Sequence, residues 1–169
     1  GYEIKTQMMD AKDYGVPQSR KRLIFIMTRT GKEINFPEKT HGEGLLPYRT
    51  VRDTIGHIEP LESGERSAKD DYHISKIHNE NHIKWLKETP EGKTAFYNEK
   101  EEHRPHLIDK VTGKKRPIKG YNTTYKRMWW DKPSPTITMW SGSISSQSNV
   151  HPRDTRTLSV RELMMLQTM

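Results

Sequence analysis

Residues 13–27 read Asp-Tyr-Gly-Val-Pro-Gln-Ser-Arg-Lys-Arg-Leu-Ile-Phe-Ile-Met, and this stretch decides the fold. Its first part, Asp13–Pro17, is typical of a turn, because Asp and Gly tolerate turn geometry and proline fixes φ. Leu23–Met27 is the most apolar run of the chain and is rich in strand-favouring residues, so it predicts a buried strand. Residues 4–8 alternate in polarity, which predicts a strand before the turn. The chain therefore begins with a strand, a turn and a buried strand.

Two helices are predicted in the middle of the chain, where glycine, proline and charged residues otherwise predict loops. Thr50 can serve as the N-cap of a helix over Val51–Ile58, which ends before Pro60. Ser75 can cap a second helix that runs to Glu88.

The C-terminal part predicts a short strand, a loop and a capped helix. Thr136–Met139 follows two prolines and predicts a strand, and the serine-rich segment Ser141–Ser148 predicts a loop. Ser159 and Glu162 have the spacing of a capping box, in which each side chain bonds the backbone amide of the other. The helix is expected to continue past Leu166.

Composition excludes several classes of protein. The chain has 169 residues, of which 31% are hydrophobic, so it can form about one domain with a small core. It contains no cysteine, which excludes a disulfide framework, a thiolate metal site and a cysteine nucleophile within these residues. No run approaches the roughly 20 apolar residues that cross a bilayer. Because the chain opens on Gly1, we expect an excised piece of a longer protein.

The positive charge is concentrated in two stretches. The formal net charge is +7, and Gln18–Arg29 contains cations but no acid. Lys110–Arg127 also contains no acid, and aromatic residues lie within and after it. Such a pattern is typical of a nucleic-acid-binding surface, although a solvated loop explains the charge equally well. The candidate phosphate contacts are Lys114, Lys115, Arg116, Lys126 and Arg127.

Gln18, Arg20 and Arg22 form a second candidate contact. If the segment is extended, the period of two places the three side chains on one face. Guanidinium and amide groups suit phosphate oxygens or a base edge, and arginine remains protonated, so these groups would act as electrostatic clamps. The simpler alternative is an ion-paired strand end, which composition alone favours.

The aromatic and proline-rich stretch Trp129–Gly142 is a third candidate contact. Threonine and serine hydroxyls suit phosphates and base edges in a DNA groove. Alternatively, Trp129 and Trp130 form the small core of the domain. Both interpretations hold if one tryptophan packs in the core while the loop contacts DNA.

A metal site is not expected. His78 and His82 are four residues apart on a predicted helix, which is half of a zinc site. Glu80 does not occupy the position that either metalloprotease motif requires, and a third ligand would have to come from a loop.

Three of these stretches together resemble the DNA cytosine-C5 methyltransferases. Asp13–Arg22 and the following strand resemble motif VIII of that family, Gln-x-Arg-x-Arg. Trp130–Thr138, with His151-Pro152 further on, looks like the end of the family's target recognition domain. Arg156–Glu162, with Gln167 beyond, is similar to motif IX. The stretches occur in family order, and the variable middle, roughly residues 39–125, carries little resemblance.

The resemblance implies a small α+β fold with three parts. Residues 1–29 would be the end of a catalytic domain, with a strand pair from the edge of an α/β methyltransferase sheet. Residues 30–155 would be a loop-rich target recognition domain, and residues 156–169 the motif IX helix.

The resemblance also implies roles for individual residues. In the family, a cysteine thiolate adds to C6 of a flipped-out cytosine, and C5 then takes the methyl group of S-adenosyl-L-methionine. Arg22 matches the arginine at the O2 side of the flipped base, and Arg20 matches the arginine that helps hold that edge. The implied DNA contacts are Gln18, Thr136, Ile137, Trp140, Ser141 and Gly142. The implied structural residues of motif IX are Arg156, Ser159, Arg161 and Glu162.

The family's cysteine loop and cofactor motifs lie outside the matched stretches. We therefore expect S-adenosyl-L-methionine to serve the complete enzyme, and we expect this chain alone to bind no cofactor and to transfer no methyl group. The expected partners are double-stranded DNA and the missing catalytic half, in the same chain or a separate subunit, in the cytoplasm of a bacterium, at the nucleoid. No membrane contact is expected. The alternatives are a non-catalytic DNA-binding subunit of a split methyltransferase and a stand-alone nucleic-acid-binding module.

Overall fold

A computed structural model describes residues 1–169 as a mixed structure with few regular elements joined by long loops. The strands are β1 (Glu3–Asp10), β2 (Lys21–Thr28), β3 (His106–Ile108) and β4 (Lys115–Pro117), and the α-helices are α1 (Val51–Ile55), α2 (Glu80–Lys87) and α3 (Val160–Met165). Short 3₁₀ helices span Ala11–Tyr14, Ala95–Tyr97 and Glu101–His103. The strands form two separate antiparallel pairs, β1–β2 and β3–β4. This arrangement is consistent with the α+β class. None of the helices is long and apolar enough to cross a bilayer.

The β1–β2 hairpin confirms the predicted strand, turn and strand. The two strands pair in register from Glu3 opposite Thr28 to Asp10 opposite Lys21. The turn between them needs Gly15, whose φ is +83°, in the left-handed region that glycine adopts without a steric penalty. A Cβ atom at Gly15 would also lie 2.8 Å from the ring of His41.

The predicted burial of β2 is wrong. Leu23, Phe25 and Met27 are 48%, 60% and 61% exposed, and Ile4 and Met8 are exposed on the same face of the hairpin. An apolar run predicts a strand whose apolar face is packed against something. The run itself does not say whether the packing partner lies within these 169 residues. No part of these 169 residues packs on that face.

The core consists of two clusters that lie away from the apolar face of the hairpin. The first holds α2 against the loops and comprises Trp85, Leu86, Ala95, Tyr125, Ile144 and Val150. The second packs α1 against α3 and comprises Val51, Ile55, Met128, Leu158 and Leu166. Trp130 packs partly buried against the second cluster, whereas Trp129 is 40% exposed.

The two middle helices begin where local capping is available. Thr50 caps α1 through a capping box with Asp53, as predicted, although the helix ends at Ile55. The predicted start of α2 at Ser75 is wrong, because Asn79 is the N-cap and accepts a hydrogen bond from the amide of His82. Ser75 is buried, and its amide donates to the carbonyl of Glu65, so it belongs to a loop contact.

Of the C-terminal predictions, the helix cap is confirmed and the strand is wrong. The capping box of Ser159 and Glu162 is present and starts α3, which ends at Met165 and does not continue past Leu166. The predicted strand Thr136–Met139 is wrong, because this segment is irregular and hydrogen-bonds the chain around Gln18. Strands β3 and β4 lie within residues 91–120, for which the sequence predicts either loops or an ordered region that takes its core from elsewhere in the chain.

Candidate nucleic-acid interface

The segment that follows the first turn pairs with the proline-rich segment near the C-terminus. The amide of Ser19 donates to the carbonyl of Ser134 at 2.8 Å, and the amide of Ser134 donates to the carbonyl of Pro17 at 2.9 Å. The hydroxyl of Thr136 donates to the carbonyl of Ser19 at 2.8 Å. Two stretches more than a hundred residues apart in sequence are thereby held in a fixed relation.

Gln18 joins these two segments to α3. Its side-chain Oε1 accepts a hydrogen bond from the amide of Ile137 at 3.1 Å, and its Nε2 donates to the carbonyl of Leu166 at 3.5 Å. The side chain is buried, with 2% of the residue exposed. In this structure the amide group of Gln18 is enclosed and positions Ile137, and its contact with DNA stays a prediction.

Arg20 and Arg22 keep their charges free of carboxylate partners. The half-buried Arg20 donates from Nη1 to the carbonyl of Ile137 at 3.3 Å, and the exposed Arg22 donates from Nη1 to the carbonyl of Lys21 at 2.7 Å. Neither forms an ion pair, so the alternative of an ion-paired strand end is wrong. Gln18 faces the interior and does not share a face with them.

The two arginines line an open groove together with residues of the proline-rich segment and α3. The lining residues are Arg20, Arg22, Ile137, Thr138, Met139, Val160, Leu163, Met164 and Gln167. The groove therefore has an apolar wall and two guanidinium groups, and no acidic side chain lines it. Such a surface suits a flat heteroaromatic ring that carries a carbonyl oxygen or a nearby phosphate.

The residues from Thr136 to Gly142 differ in how exposed their side chains are. Thr136 and Ile137 are half-buried, whereas Trp140 and Gly142 are exposed. Ser141 is buried, and its hydroxyl hydrogen-bonds the backbone of Thr138, so its contact with DNA stays a prediction.

The basic run divides between an exposed hairpin and a buried residue. Lys114, Lys115 and Arg116 are exposed at the β3–β4 hairpin, and Lys126 is half-buried. Arg127 is only 4% exposed, so in this structure it is not part of the exposed cationic surface, and its phosphate contact stays a prediction.

The guanidinium of Arg127 connects the end of α2 to the segment before α3. It donates to the carbonyls of Leu86 and Thr89 at 2.8 Å each, and its Nη1 donates to the carbonyls of His151 and Asp154 at 2.9 and 2.7 Å. Burial lowers the pKa of Arg127 to about 10. No local signal distinguishes it from the exposed cations of the same run, because its acceptors lie far away in sequence.

A buried charge network anchors α3. Arg156 is fully buried and forms two hydrogen bonds with the carboxylate of Glu162, at 2.7 and 2.9 Å, and one with Asp154 at 2.8 Å. Burial alone would raise the pKa of the Glu162 carboxyl. The ion pair with Arg156 opposes this effect, and the pKa is lowered overall. Arg161 pairs with Asp70 outside this network. Sequence reasoning missed Asp154, whose role depends on a partner that it meets only in the fold.

The histidines do not form a metal site. His78 precedes α2 and does not share a helix with His82, and its Nε2 accepts a hydrogen bond from the amide of Thr157 at 3.2 Å. Burial lowers the pKa of His78 to about 4. No group of three or more His, Asp or Glu side chains has an arrangement that could hold a metal ion.

The geometry brings two arginines, the proline-rich segment and the capped helix α3 together around one groove. The chain belongs to the C-5 cytosine-specific DNA methylase family, whose model matches residues 1–169. This is a family of DNA cytosine-5 methyltransferases that use S-adenosyl-L-methionine as methyl donor.

Several curated relatives match over nearly the whole chain. It is 40% identical over 174 residues to Type II methyltransferase M1.HgaI of Avibacterium volantium, covering 98% of this chain and 45% of the relative. It is 35% identical to Type II methyltransferase M1.HphI of Haemophilus parahaemolyticus, covering 99% of this chain and 39% of that protein. It is 32% identical to Type II methylase M.HgiDII of Herpetosiphon aurantiacus, covering 99% and 45%. The chain thus spans less than half the length of these relatives.

The groove offers no acidic side chain to the sulfonium and ammonium cations of the methyl donor. S-adenosyl-L-methionine carries a sulfonium cation, and the only charged groups that line the groove are the cations of Arg20 and Arg22. No step of the reaction is therefore assigned to a cofactor held by these residues.

Proposed function

We propose that this chain is the DNA-recognition portion of a DNA cytosine-C5 methyltransferase. The complete enzyme would transfer a methyl group from S-adenosyl-L-methionine to C5 of a cytosine flipped out of the duplex. The observation that carries the proposal is the groove, where the segments that resemble motif VIII, the recognition domain and motif IX meet. Segments so distant in sequence converge here through specific hydrogen bonds.

In this proposal Arg22 contacts the O2 side of the flipped cytosine. Addition of a nucleophile to C6 moves negative charge into the ring, and a cation fixed in advance at the receiving edge stabilises that charge. The guanidinium of Arg22 is suited to this because it is exposed and its hydrogen bond goes to a carbonyl, which leaves its charge unneutralised. Arg20 is a positioning residue, because its hydrogen bond to the carbonyl of Ile137 ties the two arginines to the proline-rich segment, which is the recognition segment of this proposal.

The recognition segment would hold its register through the same contacts. Gln18 fixes the amide of Ile137 and Ser19 accepts from Thr136, so a base contacted by this segment is also positioned against Arg22. The exposed cations of the β3–β4 hairpin, Lys114, Lys115 and Arg116, would contact phosphates and add affinity without reading sequence. Because the substrate is chromosomal DNA, the protein would act in the cytoplasm at the bacterial nucleoid.

The chain alone is expected to transfer no methyl group. It contains no cysteine to act as the nucleophile, and its groove has no acidic side chain to bind the cations of the methyl donor. The catalytic half would lie in the same chain or in a separate subunit. Incubating the purified 169-residue chain with DNA and tritiated S-adenosyl-L-methionine tests this, and incorporation above that of a DNA-free control would contradict it.

The substitution Arg22→Ala in the complete protein tests the proposed function. Loss of one preorganised electrostatic group lowers the rate of the chemical step by about 10²- to 10³-fold. Single-turnover methylation and DNA affinity are measured separately, and only the first should change strongly. Lys21→Ala is the matched control, because Lys21 is exposed on the opposite face of the same strand. If Arg22→Ala weakens binding without a separate loss of turnover, the protein is a binding module.

A further inference from the structure

Two adjacent apolar side chains project into solvent where the proline-rich segment leaves the groove. Met139 is 92% exposed and Trp140 is 69% exposed, and Met139 also lines the groove beside Arg20 and Arg22. Single exposed apolar residues are common on protein surfaces. Here two of them are adjacent, and they follow directly on the segment that Gln18 and Ser19 hold in place.

The backbone beneath Trp140 is held by a dense set of hydrogen bonds. Its carbonyl accepts from the amide of Ser143 and from the hydroxyl of Ser146, each at 2.9 Å. The buried side chain of Asn149 donates from Nδ2 to the carbonyls of Ser141 at 2.8 Å and Ser143 at 2.7 Å. These two contacts use both hydrogens of the amide. These contacts hold the backbone that carries the exposed indole ring in one conformation.

The return of this loop uses unfavourable backbone conformations. Gln147 and Ser148 have φ values of +40° and +53°, in the left-handed region that non-glycine residues adopt at an energetic penalty. Strain of this kind is retained where surrounding contacts enforce one geometry, and it occurs most often at functional sites. The loop thus maintains a strained shape while leaving a large aromatic ring uncovered.

We propose that Trp140 is a stacking wedge, whose indole ring enters the DNA duplex and stacks on a base next to the flipped nucleotide. This inference rests on the proposed function. The occupant is a base because cations border the loop that carries the ring. Arg20 and Arg22 line the adjacent groove, and Lys76 donates from Nζ to the carbonyl of Gly142 at 3.2 Å. A surface with these charges attracts a polyanion, and every base offers a π-face to an aromatic ring.

The wedge would favour base flipping by replacing a lost stacking contact. When a nucleotide leaves the duplex, its neighbours lose a stacking partner, and an apolar side chain inserted at that step restores part of the contact. Stacking of one base on an aromatic side chain corresponds to roughly a 10-fold to 100-fold change in equilibrium constant. Loss of the indole should reduce the flipped population by about this factor.

The test uses the complete protein and a duplex that carries 2-aminopurine at the target position, because 2-aminopurine fluoresces when it leaves the stack. Trp140→Ala should lower the fluorescence increase at saturating protein and slow methylation of the normal duplex by about 10- to 100-fold. Trp140→Phe, which keeps an aromatic face, should retain most of both signals. Tyr97→Ala is the matched control, because Tyr97 is 72% exposed and does not line the groove.

A second substrate separates stacking from other losses. When the base opposite the target is replaced by an abasic site, extrusion of the target costs less, so the methylation defect of Trp140→Ala should shrink. Asn149→Asp should reproduce part of the defect with Trp140 intact, because a carboxylate cannot donate to the carbonyls of Ser141 and Ser143. Asn149 is a positioning residue in this scheme.

The outcomes distinguish this inference from the proposed function. Wild-type fluorescence and methylation in Trp140→Ala, together with a slow Arg22→Ala variant, would overturn the wedge and leave the methyltransferase proposal standing. A defect in Trp140→Ala that is as large on the abasic duplex as on the normal one would also overturn it. Absence of methylation by the wild-type complete protein would remove both.

Discussion

The guanidinium of Arg127 lies where backbone carbonyls from two parts of the chain converge. Replacing Arg127 by Ala would leave these buried acceptors without donors, and the free energy of unfolding should fall by about 3–5 kcal/mol. Urea denaturation measures the change. Lys126→Ala is the matched control, because Lys126 is half-buried and its side chain makes no hydrogen bond, so its effect should stay near 0.5 kcal/mol. Unchanged stability with weakened DNA binding would restore Arg127 as a phosphate contact.

Two buried histidines predict a loss of stability in mild acid. Burial lowers the pKa of His151 and of His78 to about 4, from an ordinary value near 6.5. Between these values the unfolded chain takes up protons that the folded chain does not, so stability is full above about pH 6.5 and falls as the pH drops towards 4. The loss should reach roughly 2–3 kcal/mol for each histidine.

The surroundings of His151 explain why it stays neutral. Its Nδ1 accepts a hydrogen bond from the amide of Asp154 at 2.8 Å, which requires an unprotonated nitrogen. The carboxylates of Asp154 and Glu162 favour the charged ring, but burial and Arg156 outweigh them. Measuring unfolding between pH 7 and 4.5 should show a shallower pH dependence for His151→Gln than for wild type. The exposed His57→Gln should keep the wild-type slope, and equal slopes in all three proteins would contradict the assignment.

At the scale of elements, the sequence predicts whatever depends on residues a few positions apart. The β1–β2 hairpin and the caps at Thr50 and Ser159 were predicted because turn chemistry and capping are local. The start of α2 was not, because Ser75 is engaged by the distant residue Glu65. The segment after Pro135 is not a strand, because its backbone bonds Gln18. Distant contacts also decide burial at the candidate interface. The sequence predicts which residue types lie there, but it does not predict that Gln18 and Arg127 are buried.

Glu162 serves α3 in two ways, and substitutions can separate them. Its carboxylate accepts from the amide of Ser159 at 2.7 Å as part of the capping box, and it also pairs with the buried Arg156. Glu162→Gln removes the charge and leaves Arg156 with Asp154 alone, which should destabilise the fold by about 3 kcal/mol. Ser159→Ala leaves this charge pair intact and removes the hydroxyl, which caps the amide of Glu162 and also hydrogen-bonds Nδ1 of the buried His73 at 2.8 Å, and it should cost about 1–2 kcal/mol. Chemical denaturation of both variants checks the order, and a larger effect for Ser159→Ala would show that capping dominates.

At the scale of the whole molecule, the few apolar side chains are divided between two core clusters and one exposed face. The two core clusters contain six and five buried residues, and a third apolar set lies exposed on the β1–β2 hairpin. Buried hydrogen-bond networks around Arg127 and Arg156 connect loops that the small clusters cannot cover. The charges are distributed so that the cations of the β3–β4 hairpin remain outside these networks and available to a polyanion.

The salt dependence of DNA binding shows whether the β3–β4 hairpin contacts phosphates. Each phosphate contact contributes about 0.9 to the slope of log K against log salt, because binding releases condensed counterions. Replacing Lys114, Lys115 and Arg116 by Ala in the complete protein should therefore reduce the slope by up to nearly 3, measured between about 50 and 200 mM salt. The control replaces three exposed lysines outside the basic run, Lys32, Lys69 and Lys87, and so removes the same total charge. Long-range attraction weakens equally in both variants, so the difference between their slopes reports local contacts. Equal slopes would show that the hairpin is a solvated surface and that DNA lies against another face.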